Sequence, residues 1–188
     1  AIWEASNPDD IIALFASHQD PDIISSLSLW LEYNPELPCY LPWLWTEFVP
    51  HFGGDKNSFI AIPDPGMSID LNGLELKIIP AHYLHSAGNS NLYDPTAKIL
   101  FSGDIGAALL PPEQTNIFVT DFDAVIKAAE GFHRRWMGSN IAKRNWCERV
   151  SQMDIDMMCP QHGAIFQGED VNRFINWFSE LEVGVLHT

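Results

Sequence analysis

A mixed α/β (α+β) domain is the fold this sequence predicts. Three observations lead there: short apolar runs that empty into turn residues, two hairpin signatures in the middle of the chain, and three helical stretches toward its end. At 188 residues, 46% hydrophobic and 19% charged, residues 1–188 suit one globular domain with a sizeable core.

Residues 11–16 (IIALFA) form an apolar run with polar flanks, read as a buried strand that ends at Ser17-His18-Gln19-Asp20-Pro21-Asp22. Residues 24–33 place Leu27, Trp30 and Leu31 on a helical pattern that stops before Pro35. A shorter strand is expected at 39–41, then an amphipathic helix at 43–52 broken near Pro50, and a turn at Gly53-Gly54. From Ser58 the texture changes to β. Strands are expected at 59–62, 68–71 and 74–80, the last two joined by Asn72-Gly73, a strong hairpin signal. A polar loop at 82–91 leads to a second hairpin, 90–93 with 98–102, joined by Asp94-Pro95-Thr96. Helices follow at 121–135 and 140–153, then a brief strand at 157–159 and a last helix at 171–181. No internal repeat, low-complexity tract or flexible linker interrupts this order.

Ten Lys and Arg oppose 25 Asp and Glu, for a net charge of −15. That surface repels phosphate backbones and anionic lipid, so neither nucleic acid nor a membrane is an expected partner. It suits a divalent cation or a basic redox partner, and plain solubility accounts for it equally. Cys39, Cys147 and Cys159 are odd in number with no CxxC pair, which signals neither a disulfide framework nor a zinc ribbon and points to a reducing compartment. No stretch approaches the roughly 18 consecutive apolar residues of a membrane span. Residues 1–10 lack the basic and apolar regions of a signal peptide, so the cytoplasm is the expected location. The sequence has no initiator Met and opens a few residues before a strand, which suggests a start inside a longer natural domain.

The chemistry is concentrated at strand ends. His18, Asp20 and Asp22 follow the first apolar run at a spacing of two, and once the chain turns at Pro21 all three can converge on a small volume. His85 lies in a Gly, Ser and Asn-rich loop after the strand that ends at Pro80. Asp104 follows the buried-looking run at 99–101 in the sequence Ile-Leu-Phe-Ser-Gly-Asp, and a carboxylate at the end of a core strand must be solvated, hydrogen-bonded or bound to a cation. His162 stands in Cys-Pro-Gln-His-Gly, again where an apolar strand meets a turn. Each has a plain alternative: a helix cap for Asp20-Pro21-Asp22, a turn role for Asp104, loop packing for the histidines. Together they repeat one pattern four times, an apolar strand emptying into a loop with His or Asp, and that repetition points to a metal site.

His-x-Asp-x-Asp at 18–22, His85 in His-Ser-Ala-Gly, Asp104 in Leu-Phe-Ser-Gly-Asp and His162 in Pro-Gln-His-Gly resemble the motifs of the metallo-β-lactamase superfamily. More closely, they resemble its di-iron branch, the flavodiiron proteins and stand-alone oxygen-binding di-iron proteins, which carry a carboxylate at the position occupied here by Asp20. The resemblance implies an αβ/βα sandwich with metals at one edge of two sheets. It assigns His18, Asp20 and His85 to one iron, Asp22 and His162 to the other, and Asp104 to a bridge between them. It implies two iron ions joined by an oxo or hydroxo bridge, dioxygen or NO as the small ligand, and a role as an oxygen or redox sensor or as a component of a reductase. Three carboxylates with three imidazoles form an oxygen-rich set suited to iron or manganese, with zinc as the remaining choice. No flavodoxin-like phosphate loop occurs in the sequence, so no FMN is expected in this chain, and turnover would draw on an external electron donor or pass to a signalling protein. A homodimer is compatible with all of this.

The sequence departs from the family pattern at three points. Ile23 stands where a further His is common and cannot ligate, so the metal held by Asp22 and His162 should be the more easily lost. Asp20 is one methylene shorter than the usual Glu, and a strand-rich segment that commonly precedes the first motif is missing. His82 and Tyr83 are candidates for hydrogen bonding or proton and electron donation behind the ligands, with loop packing as the plainer role. Cys159 reads as a small core residue, and Trp30, Trp43, Trp45 and Trp136 chiefly as core, with a wall of an apolar gas-binding pocket as the alternative for some of them. His51, His133 and His187 read as surface or packing residues, and the basic cluster at 132–139 as a salt-bridged helix end or a docking site. Two competing functions remain open: a di-zinc hydrolase in which a bridging hydroxide attacks an ester, thioester or lactone, and a scaffold that has lost its chemistry.

Overall fold

The structure, a computed structural model, describes residues 7–53, 56–111, 113 and 116–185. Its first sheet is parallel and three-stranded in the order β1-β2-β3, with β1 at Leu14–Phe15, β2 at Cys39–Pro42 and β3 at Phe59–Ile62. The second has six strands in sequence order: β4 Met67–Leu71, β5 Leu74–Pro80, β6 Ser90–Asp94, β7 Ile99–Gly103, β8 Met157–Pro160 and β9 Phe166–Gln167. Neighbours there are antiparallel except β7 and β8, which need a long crossover because they run parallel. That crossover holds α3 (Phe122–Trp136) and α4 (Asn140–Val150), while α1 (Pro21–Ile24) and α2 (Leu27–Tyr33) follow β1 and α5 (Glu169–Glu180) follows β9.

Three apolar clusters define the layers. Ile24 and Leu27 pack with Ala16, Cys39 and Leu41 between the short helices and the first sheet. Ile62, Ile69, Leu76 and Ile78, with Phe15 and Tyr40 against them, fill the space between the sheets. The largest cluster joins the outer face of the second sheet to α3, α4 and α5 through Leu100, Met158, Trp146, Phe174 and Phe178. The order helix, sheet, sheet, helix is the αβ/βα sandwich. Alternation along β5 shows how one strand serves two layers: Leu76 and Ile78 face the other sheet, and Ile79 faces the helices.

Local chemistry explains most boundaries. Asn72 and Gly73 both have positive φ, 58° and 93°, and Gly73 N–H donates to Asp70 Oδ1 at 2.8 Å, closing the first hairpin. Asp94 Oδ1 accepts from Thr96 and Ala97 N–H, at 2.8 and 2.9 Å, to close the second. Asp121 and Ser139 cap α3 and α4 by accepting from Ala124 and Ala142 N–H.

Several elements differ from the sequence-based expectation. Only Leu14–Phe15 of the run 11–16 pairs as strand. The helix expected at 24–33 starts earlier, at Pro21, and is interrupted at Ser25-Ser26, giving α1 and α2. Residues 43–52 form two separate 3-10 turns, Trp43–Trp45 and Val49–Phe52. There the indoles serve distant partners, Trp43 Nε1–H on Asp64 Oδ1 and Trp45 Nε1–H on the Gly88 carbonyl at 2.7 Å. The two-residue β9 was too short to show a period. His133 is fully buried, whereas Trp43 and Trp136 are about half exposed. The basic cluster is a salt-bridged helix end: Arg134 Nε donates to Glu130 Oε1 at 2.7 Å. Gly54 of the expected turn and His187 lie outside the described residues. Among the described residues, no helix is long and apolar enough to cross a membrane.

Candidate metal centre

Four chain segments reach one edge of the sandwich, each released by the end of an element. The first leaves β1 through buried Ala16 and Ser17, whose carbonyl accepts Ser90 N–H at 3.0 Å and ties the two sheets together. Asp20 then caps α1 with its carbonyl alone, accepting Ile23 and Ile24 N–H at 2.9 and 3.0 Å. Its side chain makes no cap hydrogen bond and is free to turn outward. Asp22 sits in the first turn of the same helix.

The His85 loop is tight: Tyr83 and His85 have φ of 62° and 56°, a left-handed conformation that β-carbons disfavour. Tyr83 N–H donates to the Ser86 carbonyl at 2.7 Å, Asn89 Nδ2–H donates to the Leu84 carbonyl, and His85 N–H reaches Met137 Sδ at 3.2 Å. Phe132 and Trp136 lie beside the imidazole, at centroid distances of 5.7 and 5.0 Å. Asp104 follows β7 in a turn flanked by Gly103 and Gly106, both at positive φ. His162 follows β8, where Gln161 N–H donates to the Gly103 carbonyl at 2.7 Å, and Gly163 passes Ala108 so closely that a Cβ would lie 3.1 Å from its backbone.

These segments bring His18, Asp20, His85 and Asp104 together, with one donor atom from each inside a 4.8 Å cluster. Asp20 Oδ2 lies 2.7 Å from His85 Nε2 and 3.7 Å from His18 Nε2. Asp104 Oδ2 lies 3.5 Å from His85 Nε2 and 3.7 Å from His18 Nε2. The other oxygen, Asp104 Oδ1, faces His162 Nε2 at 4.0 Å, and His162 Nε2 in turn meets Asp22 Oδ2 at 2.9 Å. All six sequence-predicted residues thus stand at one place, in two groups on either side of Asp104.

The donor set fits two cations. His18 Nε2 and Asp104 Oδ1 are buried without a hydrogen-bond partner, a costly state unless an ion takes up their lone pairs. Two donors sharing one divalent ion at about 2.1 Å stand roughly 3 to 3.5 Å apart, close to the spacings around Asp104 Oδ2. Ser17 Oγ lies 2.9 Å from His18 Nδ1 and orients Nε2 toward the cluster. Burial holds the His18 imidazole below its ordinary pKa, against the opposing pull of Asp104 and Asp20, so the neutral, lone-pair form prevails. Behind Asp20 runs a relay in which Ser86 Oγ–H donates to Gln19 Oε1 at 2.6 Å and Gln19 Nε2–H to Asp20 Oδ1 at 3.0 Å.

Sequence reasoning overlooked this supporting set. Ser17 and Gln19 were open to inference, since they alternate with the candidate ligands. Phe132 and Met137 carried no local signal, because they lie at a helix end more than 40 residues away, and Trp136 was legible only as one of several tryptophans that could wall a pocket. His82 and Tyr83 are placed elsewhere: His82 Nε2 lies 2.8 Å from the Asp64 carbonyl, and both residues line a separate groove with Arg149 and Ile141. Cys159 is half-buried and opens, with Phe15, Asp22, Ile23 and Phe101, onto a cavity of about 290 Å³ beside Asp22.

The family model described as ODP family beta lactamase matches residues 1–163. Two solved structures of the chemotaxis sensor ODP superpose with a TM-score of 0.90. One, of its peroxy diiron species, is 43% identical over 97% of this chain and 76% of that one. The other, the apo state from T. denticola, is 44% identical over 97% and 75%. The flavodiiron protein from Giardia intestinalis shares the fold at 20% identity and a TM-score of 0.84, covering 96% of this chain and 44% of that one. An uncharacterized protein of Methanocaldococcus jannaschii is 27% identical over 119 residues, which make up 63% of this chain and only 30% of that relative.

Proposed function

This chain belongs to the ODP family of beta-lactamase-fold proteins, and from that membership we propose that it is a non-haem di-iron protein that binds dioxygen or NO and acts as an oxygen or redox sensor. His18, Asp20 and His85 would hold one iron and Asp22 and His162 the other, with Asp104 placed to serve both. One observation carries this reading: Asp104 is 5% exposed and turns one oxygen toward His18 and His85 and the other, unpartnered, toward His162. A buried carboxylate is costly unless its charge is compensated, and two cations on either side would engage both of its oxygens.

When bound, two ferrous ions would supply electrons and open coordination positions for a diatomic oxidant. The chain's own residues set the conditions. Ser17 presents His18 Nε2, the Ser86–Gln19 relay orients Asp20, and the rings of Phe132 and Trp136 keep His85 in an apolar wall. The half-exposed side chains of Asp22 and His162 leave the second position open to solvent.

Likeness to a chemotaxis sensor at 43% identity supports sensing over reduction. The partner is then a signalling protein, whereas the reductase reading requires an external electron donor. A cytoplasmic location and residues 1–188 as one di-iron domain belong to the same reading. Anaerobic loading with Fe(II), followed by metal analysis and an O₂ titration, is the test. Two irons per chain and a new absorption on adding O₂ are expected. Iron-loaded protein with no absorbance change would overturn the proposal, and two zinc ions with esterase turnover would replace it with the hydrolase reading.

A further inference from the structure

His133 lies in the last turn of α3, is 0% exposed, and is surrounded by Phe132, Phe174, Trp177 and Phe178. In this apolar setting both ring nitrogens are engaged. Nε2 is 3.0 Å from Gly106 N–H, and a backbone amide can only donate, so Nε2 is the acceptor. Nδ1 therefore carries the proton and donates to the Ala129 carbonyl at 2.8 Å. The tautomer is fixed by two backbone partners, without a solvent contact.

Gly106 is two residues beyond Asp104, in a turn with little freedom. Ser102 Oγ–H donates to the Ile105 carbonyl at 2.6 Å, Ala107 N–H to the Asp104 carbonyl at 3.1 Å, and a Cβ on Gly106 would lie 3.1 Å from Met158 Cε. His133 joins this closed turn to the helix layer. The same stretch of chain also holds the other loop, through Phe132 and Trp136 beside the His85 ring and Met137 Sδ on its amide. Residues 132–137 thus touch both loops, whose donor atoms His85 Nε2 and Asp104 Oδ2 stand 3.5 Å apart.

We propose that His133 is a positioning residue for the metal centre: by accepting Gly106 N–H it seats the Asp104 turn on the helix end that also seats His85, and so sets the spacing of those two donors. This rests on the two-metal reading above. An apolar side chain of similar size would fill the volume but strand the Gly106 amide without an acceptor.

The experiment compares wild type, His133→Leu, His133→Gln and Phe178→Leu, the last loosening the same core without touching Gly106. Amide exchange at Gly106 in the metal-free protein and Fe(II) affinity by titration are the readouts. In His133→Leu, Gly106 exchange should quicken and affinity fall at least tenfold; His133→Gln, which retains an acceptor, should recover part of it, and Phe178→Leu should lose neither. In wild type, Zn(II) binding should move the NMR resonances of His133 Nε2 and Gly106 N–H, a readout that needs no variant to fold. His133→Leu with wild-type affinity, a loss no larger than that of Phe178→Leu, or unmoved resonances in zinc-loaded wild type would overturn the positioning role alone. Wild type that binds no metal would overturn the two-metal reading, and the positioning role with it.

Discussion

Asp22 Oδ2 and His162 Nε2 meet at 2.9 Å across 140 residues of sequence, with 48% and 46% of their side chains still open to solvent. Across Asp104 the counterpart groups are closed, His18 at 0% and His85 at 7%. On the proposed ligand assignment the two metal positions are therefore unequal in ligand number and in shielding, and the difference is measurable.

Chelator titration of the iron-loaded protein should remove the metals in two phases, the first from Asp22 and His162. Either Asp22→Ala or His162→Ala should abolish the fast phase and leave the slow one. One phase releasing both metals together would contradict the asymmetry.

Ile23 lines the cavity beside Asp22 and offers no donor. Adding one by Ile23→His should slow release of the weaker metal by about tenfold or more, the usual size of a supporting metal interaction. Stopped-flow chelation of the variant and wild type gives the comparison, and equal rates would show that the new ring does not reach.

The Ser86–Gln19–Asp20 relay orients a carboxylate without touching the ions. Ser86→Ala and Gln19→Leu should each weaken metal binding by roughly 10- to 100-fold. Thermal unfolding of the metal-free forms should change little by comparison. A loss of stability with unchanged affinity would assign the relay to loop packing instead.

Burial lowers the pKa of His133 from 6.5 to about 4. The unfolded chain therefore takes up this proton first as pH falls. The contribution to stability is complete above pH 6.5 and is withdrawn as pH falls toward about 4, to a total of about 3 kcal/mol. Urea unfolding of metal-free protein should show a steeper pH dependence over this window in wild type than in His133→Gln. His18, also lowered by burial, contributes in the same direction to both proteins and cancels in the comparison. Identical slopes would mean that His133 is not neutral in the folded state.

Much of the fold was legible because its signals are local. Asn72-Gly73 and Asp94 close hairpins through their own backbone neighbours, and the apolar periods of β5, β7, α3 and α5 repeat within a few residues. The errors fall where distant contacts override local pattern. Residues 43–52 read as an amphipathic helix broken near Pro50, yet the Trp43 and Trp45 indoles bond partners 21 and 43 residues away, and the segment forms two short 3-10 turns.

The same division runs through the metal centre. Sequence alone carried the donor types and their place at strand ends, since an apolar run emptying into His or Asp is a pattern within a few adjacent residues. The grouping of those donors came from family resemblance and from no local pattern; the tertiary structure supplies its physical basis, bringing His85 to Asp20 across 65 residues, His162 to Asp22 across 140, and Asp104 between the two groups. It also recruited His133, which no neighbouring residue marks out. The buried imidazole pairs with a backbone amide of a distant turn, and that pairing exists only once the second sheet and the helix layer have packed together.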